Sequence, residues 1–260
     1  MTASPDNRYR LRQLALVARE LAPVEEALLG VFGLKVAHRD PAVAKFGLEN
    51  IVVPVGDQFI EIVAPIEPGT TAERYLDRRG GDGGYMVILQ CTDPKGRNAR
   101  AEELGIREVF RIDRADYDGL QLHPRDTGGS FLEIDYTDGF DEPDSPWYPA
   151  GKGWQSAKST AVVSGLAAAV LQSPEPRALA QRWAAILDHP LREDAGAFTL
   201  KLAQGEIRFT QQADSRGEGL SGIDIKVNDR AHVQREAAAR GLVIENSQLS
   251  LCGVRFNLTS

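Results

Sequence analysis

Phe59-Ile60-Glu61-Ile62 and Phe131-Leu132-Glu133-Ile134 are two copies of one pattern, FIEI and FLEI, set 72 positions apart. Gly33, in VFGL, and Gly105, in EELGI, keep the same interval, and Glu20 and Asp93 miss it by one residue. Landmarks that share one period indicate duplication of a unit of about 70 residues. Each copy has the same internal order. Residues 11–18 alternate and read as a strand. Pro23 follows, and Val24, Ala27, Leu28 and Val31 recur at helical spacing until Gly33 closes the run. Strands are expected at 35–39, 49–55 and 58–64. The second copy predicts a strand at 85–91, a helix at 94–104 stopped by Gly105, and strands at 107–112, 120–123 and 130–136. The unit is βαβββ, used twice.

The stretch 138–153, DGFDEPDSPWYPAGKG, holds three prolines and three glycines without periodicity and reads as a linker. Its Trp147 and Tyr148 imply that it packs down. The same grammar then returns: strand 164–172, helix 177–187, strands 198–202 and 206–211, strand 222–227, helix 230–240, and strands 242–245 and 254–258. Asp93 and Asp229 are 136 apart, and so are Gly105 and Gly241. The chain therefore reads as α+β, with four βαβββ units in two domains, 1–137 and 156–260, joined by a linker at 138–155.

Composition narrows the function classes. The 260 residues are 42% hydrophobic and 26% charged, ordinary for a globular protein. No apolar run approaches the roughly 18 residues of a membrane span. Residues 1–10, MTASPDNRYR, lack the basic-then-apolar pattern of a secretory signal. Cys91 and Cys252 build neither a disulfide framework nor a four-cysteine zinc site. A net charge of −7 and a pI near 5.2 argue against a nucleic-acid partner. The expectation is a cytoplasmic protein with a small-molecule ligand and no membrane or nucleic-acid partner. No pattern implies a homodimer, and the oligomeric state stays open.

A tandem βαβββ pair with glutamate on its last strand resembles the vicinal oxygen chelate superfamily, which includes glyoxalase I, methylmalonyl-CoA epimerase, bleomycin-resistance proteins and extradiol dioxygenases. LRQLALVAREL (11–21) looks like its first strand, and EIVAPI (61–66) and HPRDTGGSFLEI (123–134) look like its fourth- and eighth-strand regions. The resemblance implies tandem glyoxalase-like domains, each a cup of strands in which a divalent metal chelates two neighbouring substrate oxygens and stabilises an enolate-like species. Carried over, its four ligand positions fall on Gln13, Glu61, Met86 (Tyr85 if the register slips) and Glu133. An oxygen-rich set of Gln13, Glu61 and Glu133 would favour Mg²⁺ or Mn²⁺ over Zn²⁺, while Met86 is wrong for a hard cation. Without a metal, no other cofactor is implied.

Strand parity points the same way. Ile60 and Ile62 share one face, and Leu132 and Ile134 another; Glu61 and Glu133 therefore point away from the helices, with Phe59 and Phe131 beside them. Inward carboxylates are costly unless paired, protonated or metal-bound. Glu61 and Glu133 are thus the acid/base candidates. His123, at the mouth of the second copy, is a further one, and similar to a non-ligand histidine of the epimerase family. Met86, Phe59, Phe131 and Asn50 are candidate substrate contacts. In the second domain the same parity puts Arg208 and Arg255 at the glutamate places, an expected anion site. Leu166 or Ala167 takes the Gln13 place and Gly222 the Met86 place. Arg78 to Gly84, RRGGDGG, reads as a flexible connector or flap. Two functions stay open: an isomerase, epimerase or lyase working on a small oxygen-rich molecule in the N-terminal cup, or a metal-free binding protein of the bleomycin-resistance type.

Overall fold

The computed structural model describes residues 7–260; the first six, part of the stretch read for a secretory signal, lie outside them. The first half runs β1 (Tyr9–Val17), α1 (Leu21–Phe32), β2 (Leu48–Val55), β3 (Gln58–Pro65), α2 (Thr71–Arg79), β4 (Gly83–Cys91), α3 (Pro94–Glu103), β5 (Glu108–Arg114), β6 (Tyr117–Leu122), α4 (Pro124–Thr127) and β7 (Phe131–Tyr136). The second half runs β8 (Val163–Ser173), α5 (Pro176–Leu187), β9 (Leu191–Asp194), β10 (Ala197–Lys201), β11 (Glu206–Gln211), β12 (Gly219–Val227), α6 (Arg230–Ala239), β13 (Ile244–Glu245), β14 (Gln248–Leu251) and β15 (Val254–Thr259). The first half makes a seven-stranded sheet in the order β2-β3-β1-β4-β7-β6-β5, and the second an eight-stranded one, β13-β14-β15-β12-β8-β11-β10-β9. The fold is α+β, with two sheets that each mix parallel and antiparallel pairs.

The first sheet has one strand fewer because 35–39 does not form a strand. Only an isolated bridge, His38 to Val52, survives there. Asp40 then caps a 3-10 helix, Pro41–Phe46, by accepting the Ala42 N–H, and Pro41 has no N–H to offer a ladder. The stretch 71–79, ahead of the glycines, is helical: Thr70 caps α2 through the Glu73 N–H, and Gly80 ends it at φ 73°. Arg78 and Arg79 therefore belong to a helix rather than a connector. Strands β9 and β14 are also additional to the sequence reading. In β9 a charged run, LRED, pairs only because β10 offers an antiparallel edge.

Two compact units divide the chain. One holds Gln13–Tyr85, Trp147–Ala167 and Ser221–Ser260. In it α1 packs on α6, with the Phe32 and Phe256 rings 5.1 Å apart. The other holds residues up to Arg12, Met86–Pro146 and Ala168–Leu220. There α3 and α4 pack on α5, and the fully buried Trp183 donates its indole N–H to Thr127 O at 2.7 Å. In both units the aliphatic members of the repeated motif are the core: Ile60, Ile62, Leu132 and Ile134 are essentially inaccessible. Burying side chains of this size contributes about 1.5–3 kcal/mol each.

Candidate functional site

The expected site residues fall into two groups. Gln13, Asn50, Phe59 and Glu61 belong to the unit of Gln13–Tyr85; Met86, His123, Phe131 and Glu133 belong to the unit of Met86–Pro146.

In the first group, β1 and β3 run parallel with Gln13 opposite Phe59 and Ala15 opposite Glu61. β2 lies antiparallel along the other edge of β3, with Asn50 opposite Val63. Alternation therefore places Gln13, Asn50, Phe59 and Glu61 on one face. Gln13 Nε2 donates to Glu61 Oε2 at 2.8 Å, and Asn50 Nδ2 donates to Glu61 Oε1 at 2.6 Å. Behind each amide stands an obligate donor. The Asp40 backbone N–H reaches Asn50 Oδ1 at 2.8 Å, and the Trp147 indole N–H reaches Gln13 Oε1 at 2.7 Å. Phe59 stacks at 6.4 Å on Trp147 and meets Trp154 edge-on at 4.8 Å. The segment read as a linker supplies both indoles, and both are buried. Trp147 is the residue that sequence reasoning missed; its signal is an aromatic amid prolines and glycines, which marks packing but not a partner.

In the second group, β4 and β7 run parallel with Met86 opposite Phe131 and Ile88 opposite Glu133. β6 adds Gln121 opposite Glu133 and Gly119 opposite Asp135. Met86, not Tyr85, shares the face of Glu133. Gln121 Nε2 donates to Glu133 Oε2 at 2.9 Å and lies 3.8 Å from Met86 Sδ. Two places along β7, Asp135 accepts the Tyr117 hydroxyl. Burial raises the Glu133 pKa above the ordinary carboxylate range, partly offset by the Gln121 amide. Asp135 is raised further, by burial and then by the charge of Glu133. The neighbouring cations are Arg97, whose guanidinium meets Ile134 O and the Asp118 carboxylate, and the buried Arg10 and Arg12 of β1. Arg10 Nε donates to Gln90 Oε1 at 2.8 Å, and Gln90 is the register partner of Asp135. Asp135 was legible by parity, since it follows Glu133 on the same face; Tyr117 and Gln121 needed the register of β6.

His123 caps α4. Its Nδ1 accepts the Arg125 N–H at 3.1 Å, and burial, then the Arg107 charge, lowers its pKa. Arg208 and Arg255 sit in different units. Arg208 Nε lies 3.3 Å from Glu206 Oε1, and Arg255 stands opposite Gly222 and Ser250. The register also corrects two equivalences. Arg208 pairs with Val170 as Glu61 pairs with Ala15, so the Gln13 place is Ala168 rather than Leu166 or Ala167. Arg255 pairs with Gly222 as Glu133 pairs with Ile88, so the Met86 place is Leu220.

The donors in neither group fit a divalent cation. Around Gln13 and Glu61 the oxygens face the positive ends of three N–H dipoles, from Trp147, Gln13 and Asn50. Around Glu133 the expected partner ligand position is held by Met86, a thioether too soft for Mg²⁺ or Mn²⁺, which bind oxygens at about 2.0–2.2 Å. Among the described residues no group of three or more His, Cys, Asp or Glu side chains is placed to hold a metal. No helix among them is long and apolar enough to cross a membrane.

A glyoxalase-like domain matches residues 14–187. No curated protein sequence matches the chain. Among solved structures, a triple mutant of 4-hydroxymandelate synthase from Streptomyces coelicolor is 17% identical with a TM-score of 0.64, over 91% of this chain and 76% of that one. A hypothetical protein from Staphylococcus aureus is 12% identical with a TM-score of 0.64, over 96% and 99%. A Streptomyces coelicolor methylmalonyl-CoA epimerase variant is 16% identical with a TM-score of 0.45, over 51% and 99%.

Proposed function

The chain belongs to the glyoxalase-like domain family of the vicinal oxygen chelate superfamily, and on that footing we propose that it is an enzyme moving a proton beside a carbonyl of a small oxygen-rich molecule. The observation that carries this reading is Glu133, a carboxyl 7% exposed on β7, set beside Met86, Ile88 and Phe131 and hydrogen-bonded by a neutral amide. A carboxyl in such surroundings holds a proton more firmly than in water, which suits general acid/base work near neutral pH. In the step, Glu133 takes the proton from the carbon next to the carbonyl. The C–H electron pair forms the new C=C bond and the carbonyl π pair moves to oxygen, giving an enolate. Return of the proton to the opposite face of the same carbon epimerises; where that carbon bears a hydroxyl, loss of the hydroxyl proton and return at the former carbonyl carbon isomerises; and departure of a leaving group, with its bonding pair, from the carbon on the other side gives a lyase. Arg10, hydrogen-bonded to Gln90 beside Asp135, and Arg97 supply positive charge near the site, and no step requires a metal. Glu61, fed by two amide donors, is an acceptor for a hydroxyl of the ligand. A small-molecule ligand and a cytoplasmic location belong to the same reading.

The test is deuterium exchange. Small carbonyl compounds bearing an acidic C–H are incubated with the protein in D2O and followed by proton NMR. The native protein is expected to catalyse exchange for one compound class, and Glu133→Gln to lose it by roughly 10²–10⁴-fold. Undiminished exchange in Glu133→Gln removes Glu133 from the base role; no exchange with any compound in the panel overturns the enolate route.

A further inference from the structure

We propose that Trp147 is a positioning residue of the Glu61 site, and that the segment around it is part of that site rather than a spacer; the inference rests on the reading of Glu61 as a ligand acceptor. An indole N–H can only donate. Trp147 Nε1 stands 2.7 Å from the Gln13 side chain, so the atom it meets is the amide oxygen. The Gln13 amide is thereby turned one way, with Nε2 toward Glu61 at 2.8 Å. The Asp40 backbone N–H is likewise donor-only, and it turns the Asn50 amide so that Nδ2 faces the other Glu61 oxygen. Two donor-only groups thus set the sense of a five-group relay, and Glu61 is its common acceptor. One of its two ends is backbone. The other is a single side chain from residues 138–155, the stretch that carries no repeat.

The ring also has a place to stand. Trp147 lies parallel to Phe59, at 8°, and Trp154 closes the other approach to Phe59 at 80°. Trp147 and Trp154 are 2% and 1% exposed. The hydrogen bond to Gln13 comes from Trp147, while Trp154 packs edge-on against the same Phe59 ring, and this makes the proposal testable.

Trp147→Phe keeps an aromatic ring and removes the N–H. Trp154→Phe removes the same N–H from a ring that packs beside the relay. Side-chain amide NMR on the full-length protein reads the result without any substrate. In the native protein the Gln13 and Asn50 amide protons are expected to show a mutual through-space contact, since both point at Glu61, and slow exchange with solvent. In Trp147→Phe that contact is expected to be lost and the Gln13 protons to exchange roughly five- to tenfold faster, the factor that one net hydrogen bond carries. Trp154→Phe is expected to leave both unchanged, whatever it does to Tm. Unchanged Gln13 resonances in Trp147→Phe overturn the proposal, and so does an equal change in both variants, which assigns the effect to packing. Because the readout needs no turnover, failure of the enolate route leaves this result standing, and failure here leaves the Glu133 test standing.

Discussion

Glu133 and Asp135 are the buried carboxyls with the largest consequence for behaviour in solution. Both are raised above ordinary carboxylate values, by burial first and, for Asp135, then by the charge of Glu133. An unfolded chain releases these protons near the ordinary values, while the native state keeps them to higher pH. Between those limits the native state binds more protons, so stability falls as pH rises; below the ordinary carboxylate range the contribution is flat. Asp135→Asn keeps the shape and cannot ionise. Urea unfolding from pH 4 to pH 7 is expected to show a declining stability for the native protein and a shallower decline for the variant. Parallel slopes would mean that Asp135 ionises normally. The parity of FLEID announces that Glu133 and Asp135 share a face, but not that Tyr117 and Gln121 are their partners. Those contacts depend on the register of β6 on β7, which a strand pattern of period two does not specify.

Among the helices and turns, glycines separate local strain from packing. Gly105 ends the α3 region at φ 62°, and a Cβ there would meet nothing within 4 Å. Gly129 has φ 82°, and a Cβ there would come within 2.0 Å of Glu218 O. Gly105→Ala is therefore expected to cost about 1 kcal/mol, the left-handed conformational penalty alone. Gly129→Ala adds a backbone clash and is expected to cost at least about 2 kcal/mol more. Equal losses in denaturant unfolding would show that the β7 approach relaxes freely. The interval from Gly33 to Gly105 made the repeat legible because both glycines end the first helix of their unit. Gly129 carries no such signal, since what it avoids is the Glu218 carbonyl just ahead of β12, far along the chain and close to Leu220 N, which donates to Ser130 Oγ at 2.6 Å. Helix α2 was legible in principle: Ala72, Tyr75, Leu76 and Arg79 are its buried residues and recur at helical spacing. The glycines that follow drew the reading toward a connector.

For the chain as a unit of folding, the grouping of elements matters more than their order. Each compact unit takes one βαβ-containing stretch from the first sheet and one from the second. Phe32 packs on Phe256, Glu26 pairs with Arg240 at 2.9 Å, and Trp183 bonds to Thr127. Residues 1–137 expressed alone would leave Phe32 and Thr127 without these partners and the outer faces of α1 and α3 uncovered. That fragment is expected to show no cooperative thermal transition and to bind a hydrophobic dye, whereas the full chain unfolds cooperatively. A cooperative, dye-silent 1–137 would establish it as an independent domain.

Period, parity and capping are local, and they suffice for the α+β class, the repeat, the inward Glu61 and Glu133, and the family. Each follows from a few neighbouring residues, because alternation and helical spacing are properties of the backbone itself. The relay through Trp147, the partners of Glu133 and Asp135, the loss of the 35–39 strand and the crosswise packing of helices depend on residues tens to hundreds of positions apart. Hydrogen bonds and buried rings at that distance are chosen by tertiary packing, and no periodicity records them.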